Sequence, residues 1–143
     1  MRKDLKGKSQ NPIDDKGRVS LPAKYRKPLS GADLVLVLSV DDNFKYLNLF
    51  DEADYDEWIE KFFEAEGGYR ENSPSDTARM MRLQYFRESV VLDASNRIRI
   101  DADLRKYAGL NDSVVFIGMG SYVSLLSPEA AEQLLNVPVY TIE

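Results

Sequence analysis

The sequence predicts an α+β fold built from two copies of one unit of short antiparallel strands with flanking helices. Residues 13–26 return in altered form as residues 92–105 at a constant offset of 79, so that Asp14 matches Asp93 and Arg18 matches Arg97. Each copy is followed by apolar runs of strand length and then by a helical pattern. Because neither copy has enough strand to form a stable sheet alone, we expect residues 1–143 to fold as one domain.

Composition excludes several classes of protein. The chain has 143 residues, of which 43% are hydrophobic and 30% charged, and it contains neither cysteine nor histidine. Disulfides and thiolate metal sites are therefore excluded, and the commonest general base and metal ligand are missing. We therefore expect that the protein is not an enzyme and that it binds no cofactor, metal or small-molecule substrate. No apolar run reaches the roughly 20 residues of a membrane span, so we expect a cytoplasmic protein without membrane contact.

Charge is unevenly distributed. The net charge is −5, yet residues 1–30 hold nine basic residues against three acidic ones. The positive field therefore coincides with the first copy, where it could hold phosphate groups.

Each copy begins with an Asp-x-x-x-Arg turn. Asp14 and Asp93 can accept a backbone N–H two residues on, while Gly17 and Asn96 are the residue types most tolerant of positive φ. The arginine that follows lies where a loop enters a strand, at Arg18 and Arg97.

The first repeat, about residues 8–53, follows a polar and basic start that we expect to form a mobile arm over residues 1–11. This arm is either a solubilising terminus or a phosphate-contacting arm. A helix is predicted over residues 22–27 and stopped by Pro28, followed by strands over 34–39 and 46–50. Asp54 and Glu57 have the spacing of a capping box for a helix that Gly67 ends. Its apolar stripe, predicted to be core, is Tyr55, Trp58, Ile59, Phe62 and Phe63.

The second repeat spans about residues 90–127, and helices over about 54–89 join the two. The linking helix, predicted over 75–89, has Ala78, Met81 and Tyr85 at helical spacing, and its arginines favour solvation or subunit pairing over DNA contact. Asp101 is predicted to cap the helix that ends near Gly109, with strands over 114–118 and 122–126. A last helix over about 128–136, capped by Ser127, is expected to face Leu134 and Leu135 inward; residues 137–143 have strand-like composition.

The motifs Asp-x-Lys-Gly-Arg-Val-Ser-Leu-Pro-x-x-x-Arg at 14–26, Leu-Asp-x-x-x-Arg-Ile-x-Ile at 92–100 and Leu-Arg-Lys-Tyr-Ala-Gly-Leu at 104–110 resemble the MraZ family, whose members have two AbrB-like repeats. The resemblance implies strands interleaved into one barrel about a pseudo-two-fold axis. It also implies a bacterial transcription factor that forms a ring of subunits and binds short direct repeats in double-stranded DNA, upstream of the division and cell-wall gene cluster. Such a protein is expected at the nucleoid.

Arg18 is the expected DNA-reading side chain, because a guanidinium can contact guanine or phosphate with two donors at once. Asp14 would hold it in place, while Lys16, Lys24 and Arg26 would contribute phosphate contacts.

For Arg97 we expect the smaller role of pairing with Asp93. The neighbours in sequence of Arg97, among them Asp101 and Asp103, are acidic, whereas those of Arg18 are basic. The alternative function is a ring-forming AbrB-like module that binds another protein without reading DNA.

Overall fold

The computed structural model describes residues 3–40 and 43–136 and contains eight strands and five helices in that part of the chain. The first repeat supplies β1 (Lys8–Pro12), β2 (Arg18–Ser20), α1 (Ala23–Leu29), β3 (Leu34–Leu38), β4 (Leu47–Asp51) and α2 (Glu52–Glu64). After the linking helix α3 (Pro74–Tyr85) come β5 (Glu88–Val90), β6 (Arg97–Arg99), α4 (Ala102–Ala108), β7 (Ser113–Gly118), β8 (Val123–Leu126) and α5 (Pro128–Leu135). None of the helices within these residues is long and apolar enough to cross a lipid bilayer.

The strands of the two repeats interleave, which confirms the predicted α+β class. One antiparallel sheet has the order β1-β7-β8-β4-β3-β5, and β2 pairs with β6 in a separate ribbon. Exchanging each strand for its counterpart in the other repeat reproduces the same order in reverse. The equivalent residues Val19 and Ile98 are Cα partners in the ribbon, as Asn48 and Ser124 are in the sheet. The two halves are therefore related by an approximate two-fold axis through both pairs.

In the part of the chain that the structure describes, the strands do not form the continuous hydrogen-bonded ladder of the expected closed barrel. Among the described strands the sheet ends at β1 on one side and β5 on the other. The ribbon instead contributes Val19 and Ile98 to the same apolar core as the sheet residues Leu36, Leu49 and Phe116. Burying a large aliphatic side chain stabilises the fold by about 2 kcal/mol, so the ribbon is anchored through its inner face.

The aromatic stripe of α2 forms a second apolar cluster, as predicted. Tyr55, Ile59 and Phe63 are buried against Phe50 of β4, while Trp58 and Phe62 pack at its edge. The helix starts earlier than predicted, however. Asp51 caps it by accepting from the Ala53 N–H at 3.1 Å, so Asp54 and Glu57 lie inside the helix and form no capping box at its start.

The helix α1 continues through Pro28 to Leu29, beyond the predicted end at Lys27. A proline in the last turn removes one backbone donor, and the burial of Leu29 in the main core compensates for that loss. In the second repeat Asp101 caps α4 and Gly109 ends it at φ +65°, both as predicted. Ser127 caps α5 as predicted, with its hydroxyl accepting from the Ala130 N–H.

The predicted inward face of α5 points to solvent, and so do two of the apolar side chains at helical spacing in α3. In α5 the buried residue is Ala131, whereas Leu134 and Leu135 are 37% and 45% exposed. In α3 Met81 and Tyr85 are 65% and 80% exposed, and Asp76 and Leu83 are the buried residues. Helical spacing identified both faces, but the inward side is set by whichever neighbour each helix packs against.

The predicted N-terminal arm is folded from Leu5 onward. Leu5 is buried and forms a bridge with Gly120, and β1 pairs along its whole length with β7. Lys3 also contacts the carboxylates of Asp51 and Asp54. The first two residues, residues 41–42 and the tail over 137–143, which has strand-like composition, lie outside the described residues.

Candidate nucleic-acid interface

The first Asp-x-x-x-Arg loop is closed by the carboxylate of Asp14. Its Oδ1 accepts the backbone N–H groups of Lys16 at 3.0 Å and Arg18 at 2.8 Å, and its Oδ2 accepts Arg18 Nε–H at 2.7 Å. The Gly17 N–H donates to the Asp14 carbonyl, and Gly17 has the predicted positive φ of +81°. The single Nε–H contact leaves both terminal nitrogens of Arg18 without a hydrogen bond to any other residue in the described part of the chain.

The second loop repeats this geometry. Asp93 accepts the N–H groups of Ser95 at 2.8 Å and Arg97 at 2.9 Å, and its Oδ2 accepts Arg97 Nε–H at 2.9 Å. Asn96 takes the left-handed position at φ +57°, as predicted. Arg18 and Arg97 each expose 34% of the side chain. Arg18 and Arg97 are therefore held by the same local hydrogen bonds and are equally exposed.

Both carboxylates are held in the charged form. The pKa of Asp14 lies below its usual value because the Arg18 backbone N–H, and then the Arg18 side chain, donate to it. The pKa of Asp93 is lowered in the same way by the backbone N–H of Arg97 and by the Ser95 N–H and the Arg97 side chain. At neutral pH each arginine is thus paired with a permanent anion and has a fixed direction.

Both arginines lie on one side of the ribbon. Arg18 is the Cα partner of Arg99, and Ser20 is the partner of Arg97. These four residues alternate with the buried Val19 and Ile98, so they share the opposite, outer face of the two strands. We call this surface the outer ribbon face; it carries three guanidinium groups and one hydroxyl.

Each loop is braced by the other repeat. The Ile100 N–H donates to the Gly17 carbonyl at 2.8 Å, and the Leu21 N–H donates to the Asn96 carbonyl at 2.9 Å. Arg105 Nε–H donates to the Ile100 carbonyl at 3.0 Å, and in the first repeat Arg26 Nε–H donates to the Leu21 carbonyl at 2.8 Å. Arg105 therefore supports the first loop and Arg26 the second.

This crossing changes which charged residues lie near Arg18 and which lie near Arg97. Because β2 and β6 are antiparallel, Asp101 follows the strand end beside the first loop, not the end beside Arg97. The helix with Lys24 and Arg26 likewise begins beside the second loop. Neighbours in sequence are not neighbours in space here, so the ranking of the two arginines loses its basis.

The other residues predicted to contact DNA differ in where they lie relative to the outer ribbon face. Lys16 is exposed at the tip of the first loop. The Lys24 ammonium donates to the Lys8 carbonyl, which places it next to β1. With Arg26, Ser20 and Asn11 it lines a shallow cleft of about 460 Å³ beside the outer ribbon face. Lys24 and Arg26 thus lie at the edge of that face.

Arg99 is a further arginine of the outer ribbon face that was not identified from the sequence. The alternation Arg97-Ile98-Arg99 could have placed Arg99 on the same face as Arg97. Its position opposite Arg18, however, depends on the pairing of β2 with β6, which the sequence alone does not show. The arginines of α3, by contrast, are occupied elsewhere. Arg79 forms ion pairs with Glu66 and Asp76, and Arg82 donates to the Tyr107 hydroxyl. Arg87, which follows the helix, forms ion pairs with Asp56 and Glu52.

Comparison with known proteins identifies similar chains. A family model described as "MraZ protein, putative antitoxin-like" matches residues 5–77, which include the first loop.

Three relatives, each bearing the name "Transcriptional regulator MraZ", extend the similarity into the second repeat. The protein of Coxiella burnetii (strain Dugway 5J108-111) is 35% identical over 122 residues, covering 80% of this chain and 75% of the relative. That of Thermomicrobium roseum is 34% identical over 86% of this chain and 81% of its own. That of Anaeromyxobacter dehalogenans (strain 2CP-C) is 30% identical over 93% and 90%.

Proposed function

This chain belongs to the MraZ family, and from that premise we propose that it is a transcription regulator that binds double-stranded DNA through the outer ribbon face. The observation that carries this proposal is the placement of two Asp-anchored arginines, Arg18 and Arg97, on one outer face, with terminal nitrogens that form no hydrogen bond with any described residue. The names of the relatives support the same function.

The shape of the site suits a groove of DNA. The major groove admits a two-stranded β-ribbon, and an arginine can contact both acceptors of guanine in it. Nε of each arginine is held by a carboxylate, so the remaining donors point in a fixed direction before DNA arrives. Asp14 and Asp93 thus act as positioning groups, and Arg18 and Arg97 read bases. Lys16, Lys24 and Arg26 contact phosphates at the edge of the face.

We further propose the family's mode of assembly and target for this chain. A ring of subunits presents many ribbons at regular spacing, and short direct repeats upstream of the division and cell-wall gene cluster match that spacing, so weak contacts add by avidity. Residues 1–143 form one cooperative domain, which calorimetry would test by the number of unfolding transitions. The protein acts at the nucleoid in the cytoplasm.

Affinity for sequences selected from random DNA tests the assignment. Arg18→Ala and Arg97→Ala should each weaken binding by roughly tenfold to a hundredfold, because each removes about 1–3 kcal/mol of base contact. Arg82→Ala, which removes an exposed arginine of α3 that is not on the outer ribbon face, is the matched control and should bind like the wild type. With about four to eight phosphates contacted per DNA-bound unit, log K should fall with log salt at a slope of about −4 to −7. Unchanged affinity in both loop variants, or a flat salt dependence, would refute the proposal.

A second function has one observation in its favour. Met81 and Tyr85, four residues apart on α3, are large apolar side chains that are 65% and 80% exposed, as expected of a surface that binds protein. A ring-forming module that binds another protein without reading DNA would use such a surface. Nuclease-treated purification, light scattering and titration with short duplex DNA separate the two functions, since this alternative predicts an assembly with no DNA affinity.

A further inference from the structure

Among the described residues, Arg99 differs from the other two arginines of the outer ribbon face in having no carboxylate partner. Arg18 and Arg97 are each tied to their own aspartate, whereas no carboxylate in residues 3–40 and 43–136 lies within ion-pair distance of Arg99. Its side chain is exposed on the strand directly opposite Arg18. Cα partners in antiparallel strands are about 4.5–5.5 Å apart, so two cations face each other there.

This arrangement does not help the fold. Like charges directly opposite each other on two strands are destabilising, and the equivalent position of the first repeat, Ser20, carries no charge. The approximate two-fold symmetry is therefore broken by one added guanidinium at the end of the ribbon that bears Arg18. A polyanion placed against this face would remove the repulsion between Arg18 and Arg99.

We propose that Arg99 contacts a backbone phosphate of DNA and supplies affinity without sequence discrimination. The reason lies in the difference in anchoring. In Arg18 and in Arg97 the backbone N–H and the side-chain Nε–H both donate to one carboxylate, which fixes the direction that base reading requires. A guanidinium without such an anchor can follow a phosphate through many orientations. This inference rests on the proposed function, since it assumes that DNA lies on the outer ribbon face.

Two reciprocal substitutions test the inference. Arg99→Ser installs the residue of the equivalent position, and Ser20→Arg places a guanidinium opposite Arg97. Both positions are on the outer face, so neither change enters the core. The probes are a duplex recovered by selection from random DNA and a duplex of scrambled sequence, each titrated over a range of salt concentrations.

Arg99→Ser should weaken binding to both duplexes by a similar factor, roughly three- to tenfold, and reduce the salt slope by about one per chain in contact with DNA. Ser20→Arg should tighten binding and increase the slope by about the same amounts. Sequences selected by the Arg99→Ser protein should match those selected by the wild type.

The outcomes distinguish this inference from the proposed function. If Arg18→Ala weakens binding as expected while Arg99→Ser leaves affinity and slope unchanged, the phosphate contact is wrong and the regulator proposal stands. A changed selected sequence for Arg99→Ser would make Arg99 a base-reading residue and overturn the assignment to phosphate. If the wild-type protein binds neither duplex, both proposals fail.

Discussion

Gly17→Ala should destabilise the protein far more than a left-handed backbone alone explains. Gly17 has φ +81°, and an alanine in the left-handed region costs about 1–2 kcal/mol. A Cβ at this position would also lie 2.8 Å from the Ile100 carbonyl oxygen and 2.8 Å from Arg105 Nε. Arg105 can shift, but moving the Ile100 carbonyl strains the Ile100 N–H bond to the Gly17 carbonyl, which adds about 1–3 kcal/mol. The expected total is about 2–5 kcal/mol.

Gly31→Ala is the matched control. Gly31 has φ +73°, but a Cβ there meets no atom within 4 Å. It should cost only the backbone term of about 1–2 kcal/mol, reduced by the lower entropy of the unfolded chain. Urea unfolding at fixed protein concentration measures both variants, and about 3 °C of melting temperature should accompany each kcal/mol. If Gly17→Ala costs no more than Gly31→Ala, the crosswise brace is not a stabilising contact and the description of the loop is wrong.

Two further predictions concern the stability of the fold at low pH and the buried hydrogen bond at the two-fold axis. The pKa values of Asp14 and Asp93 are lowered in the folded state, mainly by backbone N–H donation, so the stability they contribute is present above their unfolded pKa and is lost as pH falls through the folded one. The difference in urea midpoint between the wild type and Asp14→Asn/Asp93→Asn should therefore be constant from pH 8 to about 5 and shrink below about 4; a loss between pH 8 and 5 would contradict this. At the axis Ser124 Oγ–H donates to Asn48 Oδ1 at 2.7 Å inside the sheet, so Ser124→Ala and Asn48→Ala should each cost about 1–3 kcal/mol. The double variant should cost less than the sum by roughly 1 kcal/mol, and strict additivity in unfolding measurements would count against that bond.

Local chemistry made the loops predictable from sequence. The Asp-x-x-x-Arg turn is closed within five residues by the carboxylate of Asp14 or Asp93, and the positive φ of Gly17 and Asn96 follows from residue type. The caps of α4 and α5 at Asp101 and Ser127 are similarly local. Where the determining contacts lie within one turn, residue identity and spacing were sufficient.

Features that depend on contacts between repeats were not predictable in this way. The position of Arg99 opposite Arg18 and the placement of Asp101 beside the first loop both follow from β2 pairing with β6. The same holds for α3, whose spacing defined a stripe through Met81 and Tyr85 without showing that Leu83 is the side chain that meets α2 and β3. The cap of α2 is Asp51, about one turn before the predicted Asp54, because β4 continues into α2 without a loop.

The crosswise brace gives a physical reason for two loops to occur in one chain. The first loop is held by Ile100 and Arg105 of the second repeat, and the second loop by Leu21 and Arg26 of the first. Neither loop is therefore complete within its own repeat, because the bond that fixes its glycine or asparagine carbonyl comes from the other half. A substitution that distorts one loop should also disturb the other, because Gly17 and Asn96 are bonded to opposite ends of the same two-stranded ribbon. A binding face built in this way depends on the pairing of the halves, and the rigid aim of both arginines is a property of the whole fold.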